Sequence, residues 1–348
     1  MDEKSSIDDI KLDNPYALLN ITQNSDGSLT RFLPFPDVPP TAQPPPPQQE
    51  PTPYVLSKDL PLNPSNHTWI RIYRPYLIST PTFPLPIIIY FHGSGFIVAS
   101  AATSFFHECC ERLALQVPAV VLNVEYRLAP EHRLPAAYDD GMDAVRWVKE
   151  QAGSEPWMAP EVADSSRCFL MGSSAGGTIA YYLWRQLAAA AEPEVDRPTF
   201  KIAGVILDQP FFGGVERTES ELRMAKDPAL PLLASDLMWE LALPVGADRD
   251  HEYSNPESLE KKLGGADGGG SSLSPCLLRA SGKDPLVDRQ LAVMKMVEEK
   301  GVKVVGKLDE EGFHGIQFFE KEKNDVLIME VKDFVSSVII HQSTHEHA

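Results

Sequence analysis

The chain has no long hydrophobic run: none approaches the roughly 20 consecutive apolar residues that a membrane span requires. It also lacks an apolar leader. The start, MDEKSSIDDIKLDN, is acidic and without an apolar core, so neither a secretory signal nor an amphipathic transit sequence is expected, and the expected location is cytoplasmic. Cysteine is scarce. Cys109, Cys110, Cys168 and Cys276 lie in apolar surroundings with no C-x-x-C spacing, which fits buried reduced thiols better than disulfides or a metal site. Positive charge is in deficit as well, with 31 Lys and Arg against 49 Asp and Glu, a formal net charge of −18. Such a surface repels phosphate backbones and anionic lipid, so neither nucleic acid nor membrane is an expected partner. A local basic pocket remains compatible with it.

What is present is an ordinary globular composition, 43% hydrophobic and 23% charged over 348 residues, enough for one large α/β domain or two smaller ones. The first 60 or so residues stand apart. PFPDVPPTAQPPPPQQEPTP cannot form a helix or a central strand, because each proline removes a donor and fixes φ, and it reads as an exposed linker. From Trp69 onward strands and helices alternate. WIRIYRP reads as a half-buried or edge strand, while PIIIYF and AVVLNVEY are dense β-branched runs suited to strands buried on both faces. AAYDDGMDAVRWVKEQ has helical spacing, CFLMG is a strand, AGGTIAYYLWRQLAAAAE a helix and IAGVILDQP a strand. Helical sequence over about 215–265, ending in GGADGGGSS, interrupts the pattern. CLLRAS, RQLAVMKMVEEKG, VKVVGKL and NDVLIMEVKDFVSSVII then restore it. The expectation is an N-terminal segment over 1–60, then a doubly wound, mostly parallel α/β domain over 61–348 with an insertion.

One stretch raises a chemical question. CFLMGSSAGGTIAYYL places adjacent serines between glycines at a strand-to-helix turn. A plain small-residue turn would look similar, and G-x-S-x-G alone is common by chance. In this architecture, however, the motif holds its central residue on a sharp turn at the carboxyl end of the sheet, which selects Ser174, between Gly172 and Gly176, over Ser173. A helix N-terminus there favours negative charge. The loop has no lysine where a phosphate-binding loop needs one.

A serine needs a base, and the base needs an orienting carboxylate. The loop after CLLRAS supplies GKDPLVD and the loop after VKVVGKL supplies DEEGFHG, so the candidates in chain order are Ser174, Asp284 and His314. Asp288 is a rival to Asp284, but it falls in the first turn of a helix begun at Pro285, where a dipole-capping role suffices. An oxyanion hole is expected from backbone N–H groups. His92-Gly93-Ser94-Gly95 follows a buried strand, which nominates the N–H groups of Ser94 and Gly95, together with that of Ala175. Phe96, Phe211 and Phe212 follow these loops and are candidate substrate-binding walls, with core packing as the alternative.

With these residues the chain resembles the plant carboxylesterases of the hormone-sensitive-lipase-like branch of the α/β-hydrolase fold. The likeness runs from about Tyr16 to the end and includes FHGSGF, YRLAPEHRLPAAYDD, MGSSAGG, DRDHEYSNP, KDPLVDRQ and GFHG. The resemblance implies hydrolysis of carboxylic esters through an acyl-serine, without metal or organic cofactor. It also implies that the N-terminal segment and the 215–265 insertion form a helical cap. Two departures stand out: Ser94 replaces the second glycine of the usual HGGG loop, and Ser173 occupies the usual acidic place of the elbow. Gibberellin receptors of the same branch lack the triad histidine and bind hormone under an N-terminal lid, whereas here His314 is present.

The charged run Arg127, Glu131, His132, Arg133, Asp139 reads as a structural loop whose charges pair, and His251 as a structural residue. The expected function is a serine carboxylesterase for small neutral esters. Two alternatives are kept: a hormone-type receptor on the same fold, and a triad enzyme performing acyl transfer or elimination on an acetylated metabolite. Fold and triad do not fix substrate, and the sequence leaves monomer and homodimer both open.

Overall fold

The computed structural model describes residues 14–46, 52–77, 83–151, 153–190, 200–264 and 273–345. The acidic start, the centre of the polyproline stretch at 47–51 and most of GGADGGGSS fall outside the described residues.

In chain order, a short helix α1 (Pro15–Leu18) is capped by the Asn14 side chain and leads into a hairpin of β1 (Ile21–Gln23) and β2 (Leu29–Arg31). The main sheet begins with β3 (Tyr54–Asn63) and β4 (Thr68–Tyr76) and continues with β5 (Leu85–Phe91). Then follow α2 (Ser104–Gln116), β6 (Val120–Glu125), α3 (Ala136–Gln151), β7 (Ala163–Ser173), α4 (Ala175–Ala189) and β8 (Ile202–Asp208). The insertion carries α5 (Glu219–Arg223), α6 (Leu232–Ala242) and α7 (Pro256–Lys262). The chain returns to β9 (Cys276–Ser281), α8 (Val287–Glu299), β10 (Val304–Asp309) and α9 (Lys321–His345).

Eight strands form one sheet in the order β10-β9-β8-β7-β5-β6-β4-β3. The pairs from β10 to β6 are parallel, and the pairs β6–β4 and β4–β3 are antiparallel, so that β4 alone is reversed. Every residue of β5 and β9 is buried, as the apolar run of β5 requires, because helices cover both faces. α2 and α9 pack on one face, around Phe106, Leu113, Leu327 and Val331. The other face buries Ile87, Ile89 and Leu170 against Ile179, Leu183 and Val293. The carboxyl ends of β5, β7, β8, β9 and β10 thus lie side by side, where loops from five strands can meet.

Two expectations are corrected here. WIRIYRP is not the edge, since β3 pairs outside it. The segment PYVLSKDLPLN, read with the linker, is that edge strand. Its Lys58, Asp59 and Pro61 are typical protection for an exposed edge and broke the apolar signal. Nor is all of the proline-rich stretch free. Val38 N–H donates to Ala102 O at 2.9 Å, Thr41 O accepts from Ser57 N–H at 2.9 Å, and Arg71 donates to Val38 O at 2.9 Å. Proline lacks a donor itself but leaves those of Val38 and Thr41 available, and residues 36–41 lie along the β3–α2 side of the domain.

Candidate active site

The turn from β7 into α4 holds Ser174 at φ 55°, ψ −120°, a conformation that costs a non-glycine residue about 1–3 kcal/mol. The packing around it demands glycine on both sides. A Cβ on Gly172 would lie 2.1 Å from the Gly176 carbonyl, and one on Gly176 would lie 1.9 Å from Phe91 O. Backbone hydrogen bonds fix the turn: Ser174 N–H donates to Asp208 O at 2.9 Å and Ser174 O accepts from Phe211 N–H at 3.0 Å.

The structure brings the three side-chain candidates together. His314 Nε2 lies 2.9 Å from Ser174 Oγ, and His314 Nδ1 lies 2.8 Å from Asp284 Oδ2. Asp284 is fully buried, and its other contacts come from Leu286 N–H and Gln290 Nε2, each at 2.9 Å. Burial alone would lower the His314 pKa, but the charge of Asp284 and the hydrogen bond to it prevail, and the pKa lies above the ordinary 6.5. A histidine so placed is a better proton acceptor. Its loop is held by Gln209, whose Oε1 accepts from Gly315 N–H at 2.8 Å and whose Nε2 donates to Phe313 O at 2.9 Å. Gln209 and Gln290 escaped the sequence reading. Gln290 ends the KDPLVDRQ stretch but no chemistry marks it there, and Gln209 follows a strand outside any motif; only the folded structure shows what they hold.

Ser173 points the other way. It is fully buried, donates to Asp208 Oδ2 at 2.8 Å and meets Tyr90 Oη at 3.1 Å. Asp208 also accepts from Arg279 at 2.5 Å and Gln317 at 2.7 Å, so a carboxylate does sit beneath the elbow, supplied by β8 rather than by the motif. Asp288 accepts the Ser220 N–H at 2.7 Å and joins the first turn of α8 to α5; it does not approach His314.

The loop after β5 runs beside Ser174. A Cβ on Gly93 would lie 3.2 Å from Ser174 Cβ. Ser94, Gly95 and Phe96 have φ of 81°, 66° and 67°, three successive left-handed residues. Tyr126 Oη donates to His92 O at 2.9 Å and to Gly93 O at 3.2 Å, and Ala129 N–H donates to Phe96 O at 3.0 Å. Among the described residues, no protein acceptor takes the N–H of Ser94 or Gly95. The Ala175 N–H stands at the first turn of α4, where helix geometry offers it no partner. Burial holds His92 down to about 4, so it is neutral near pH 7, stacked on Tyr126 with ring centroids 4.2 Å apart.

Of the two readings of the aromatic candidates, substrate wall or core, their burial favours core. Phe96, Phe211 and Phe212 are at most 1% exposed. Phe211 stacks on Trp239 at 4.6 Å, Phe96 meets Trp239 at 5.5 Å and Tyr138 at 6.1 Å, and Phe212 meets Tyr181 at 5.3 Å. These rings glue the insertion to the sheet and offer a ligand almost no surface. A cavity of about 890 Å³ that Phe212 borders lies between the insertion and α8, and none of Ser174, Asp284 and His314 lines it. Instead, Met238 of α6 presses on the oxyanion-side loop, its Sδ only 2.2 Å from where a Cβ on Gly95 would stand.

The remaining charged candidates are structural. Arg127 Nε and N–H both reach Asp140, at 3.0 and 2.9 Å, and Arg133 caps the end of α6 through Glu240 O and Leu243 O at 2.6 and 2.7 Å. His251 Nδ1 accepts from Tyr253 N–H at 3.2 Å. All four cysteines are buried and free. Among the described residues, no group of three or more His, Cys, Asp or Glu is arranged to hold a metal, and no helix is long and apolar enough to cross a membrane.

Comparison with known proteins agrees with this geometry. Residues 88–318 match the family described as having the alpha/beta hydrolase fold. Probable carboxylesterase 8 of Arabidopsis thaliana is 44% identical over 336 residues, covering 93% of this chain and 94% of that protein. A 3-O-acetylpapaveroxine carboxylesterase of Papaver somniferum is 41% identical over 92% of this chain and 99% of its own length. Among solved structures, the Pyrobaculum calidifontis esterase superposes with a TM-score of 0.67 over 82% of this chain and 85% of its own, at 24% identity, a likeness of fold. With its mostly parallel eight-stranded sheet, its strand–serine–helix elbow and relatives of this closeness along nearly its whole length, the chain belongs to the α/β-hydrolase family, among the plant carboxylesterases.

Proposed function

We propose that the protein is a serine carboxylesterase acting on small neutral esters, with Ser174 as nucleophile, His314 as general base and acid, and Asp284 as the group that orients the imidazole. The observation that carries this is the unbroken hydrogen-bonded line from Ser174 Oγ through His314 to the buried Asp284 carboxylate. His314 Nε2 takes the hydroxyl proton as Ser174 Oγ attacks the ester carbonyl. Negative charge developing on the carbonyl oxygen is met by the N–H groups of Ser94, Gly95 and Ala175. His314 then gives its proton to the departing alcohol, and a water deprotonated by the same nitrogen cleaves the acyl-serine. The imidazolium formed twice in this cycle is the state that Asp284 stabilises, in keeping with the raised pKa of His314.

The insertion and the N-terminal segment form the cap of the site in this reading, which is supported by the seat of Met238 against Gly95. The Papaver relative is named for an acetylated metabolite, so acetate esters of small alcohols are the first substrates to try. The acidic excess of the chain disfavours a nucleic-acid partner.

A fluorophosphonate probe tests the assignment. Labelling is expected at Ser174 alone, and Ser174→Ala is expected to lose it together with at least about 10³-fold in turnover of p-nitrophenyl acetate. Loss of labelling in Ser173→Ala with retention in Ser174→Ala would sink the reading.

A further inference from the structure

The N-terminal hairpin reaches the site through one side chain. Arg31, at the end of β2, donates from Nε to Ile97 O at 2.5 Å and from Nη2 to Ala129 O at 2.9 Å and Glu131 Oε2 at 2.6 Å. From Nη1 it reaches Glu131 Oε1 at 3.0 Å and Leu29 O at 3.2 Å. Glu131 in turn accepts the Leu29 N–H at 2.9 Å, so both ends of the hairpin's second strand are tied to one carboxylate. The two carbonyls that Arg31 grips are not arbitrary. Ile97 closes the turn begun at Ser94, through Ile97 N–H to Ser94 O at 3.3 Å, and Ala129 donates its N–H to Phe96 O at 3.0 Å.

We infer that Arg31 is a positioning residue for the oxyanion-side loop, so that the N-terminal hairpin completes the machinery and does more than cover it. This rests on the ester-hydrolysis reading above. Left-handed φ at Ser94, Phe96 and Ala99 is a conformation that non-glycine residues keep only where the surroundings over-determine it. Tyr126 holds the loop before its bend, at Gly93 O, and Met238 presses on Gly95 from the insertion. Beyond Phe96, the Ile97 carbonyl has Arg31 as its donor, and among the described residues no other side chain donates to it. A planar fork with five donors, all engaged, fixes three carbonyls, those of Ile97, Ala129 and Leu29, and a carboxylate in a way that a lysine could not. Since an error of about 1 Å in a reacting geometry can cost about 10²-fold, release of this grip is read chiefly in turnover.

The test uses the full chain and variants Arg31→Ala, Arg31→Lys and Glu131→Gln. Turnover of p-nitrophenyl acetate is normalised to Ser174 titrated with a fluorophosphonate, so that unfolded protein does not count. A trifluoromethyl ketone, which forms a tetrahedral adduct, reports on the oxyanion hole separately from KM. Expected are a 10- to 100-fold fall in kcat for Arg31→Ala with KM within about threefold, a parallel loss of ketone affinity, an intermediate Arg31→Lys, and partial recovery of Arg31→Ala by added ethylguanidinium. Unchanged kcat per titrated serine, or a loss confined to KM or to thermal stability, would overturn the inference. If the wild-type chain is neither labelled nor active on any ester, it is the functional reading that fails, independently of Arg31.

Discussion

In the proposed site, Ser94 departs from a family pattern without removing a part. An oxyanion donor needs only a backbone N–H, and serine supplies one. The cost lies in its φ of 81°, about 1–3 kcal/mol of strain for a residue with a Cβ. Ser94→Gly relieves that strain and adds about 0.5–1 kcal/mol of chain entropy cost on folding, so the unfolding midpoint is expected to rise. Turnover on acetyl esters is expected to stay within about tenfold, well short of the 10²–10³ of a lost donor. Calorimetry and kinetics on the one variant check both, and a collapse in turnover with the fold intact would mean that the hydroxyl takes part in the chemistry. At this scale the sequence was most informative where chemistry imposes a local pattern. Ser174, Asp284 and His314 each follow an apolar strand run directly, and the elbow glycines bracket the serine. It was silent on Gln209 and Arg31, because what each of them holds lies far away in the chain: Gln209 touches the loop at Phe313, and Arg31 grips Ala129 and Ile97. Gln290 holds Asp284 only six residues away, but across a turn that the spacing does not reveal. The phenylalanines stayed open between wall and core for a related reason, since proximity in sequence to a loop does not say which way a ring faces.

Between elements, the N-terminal turn of α8 separates two carboxylates with different work. Asp284, in the loop before it, serves His314, while Asp288, inside it, binds the Ser220 N–H and so fastens the insertion to the domain. Asp284→Asn is therefore expected to lower kcat by about 10³–10⁴-fold through loss of the imidazolium's partner and its tautomer control. Asp288→Asn keeps an acceptor for the N–H and is expected to change kcat by less than about threefold. Equal losses, or the reverse order, would remove Asp284 from the proposed line. The sheet's central strands were legible because burial on both faces leaves a dense apolar run, as in the isoleucines of β5. β3 was not, because an edge strand is selected for charges and proline that disguise it.

For the whole molecule, the net charge of −18 acts on every arriving substrate. Neutral esters are expected to be turned over with higher kcat/KM than anionic ones of equal size, and added salt is expected to narrow the gap as the screening length falls below about 10 Å. A clear preference for a carboxylate-bearing ester would contradict this and direct attention to Arg127 and Arg133. The order of the parts along the chain has a further consequence, in time. The serine and the oxyanion-side loop leave the ribosome early, but the histidine lies in the loop after the last strand and α9, which covers one sheet face, comes later still. At about 5–20 residues per second, Ser174 would wait on the order of ten seconds for its proposed base. In the proposed reading a nascent chain thus carries a harmless alcohol in place of a nucleophile until β10 and the loop after it have been made.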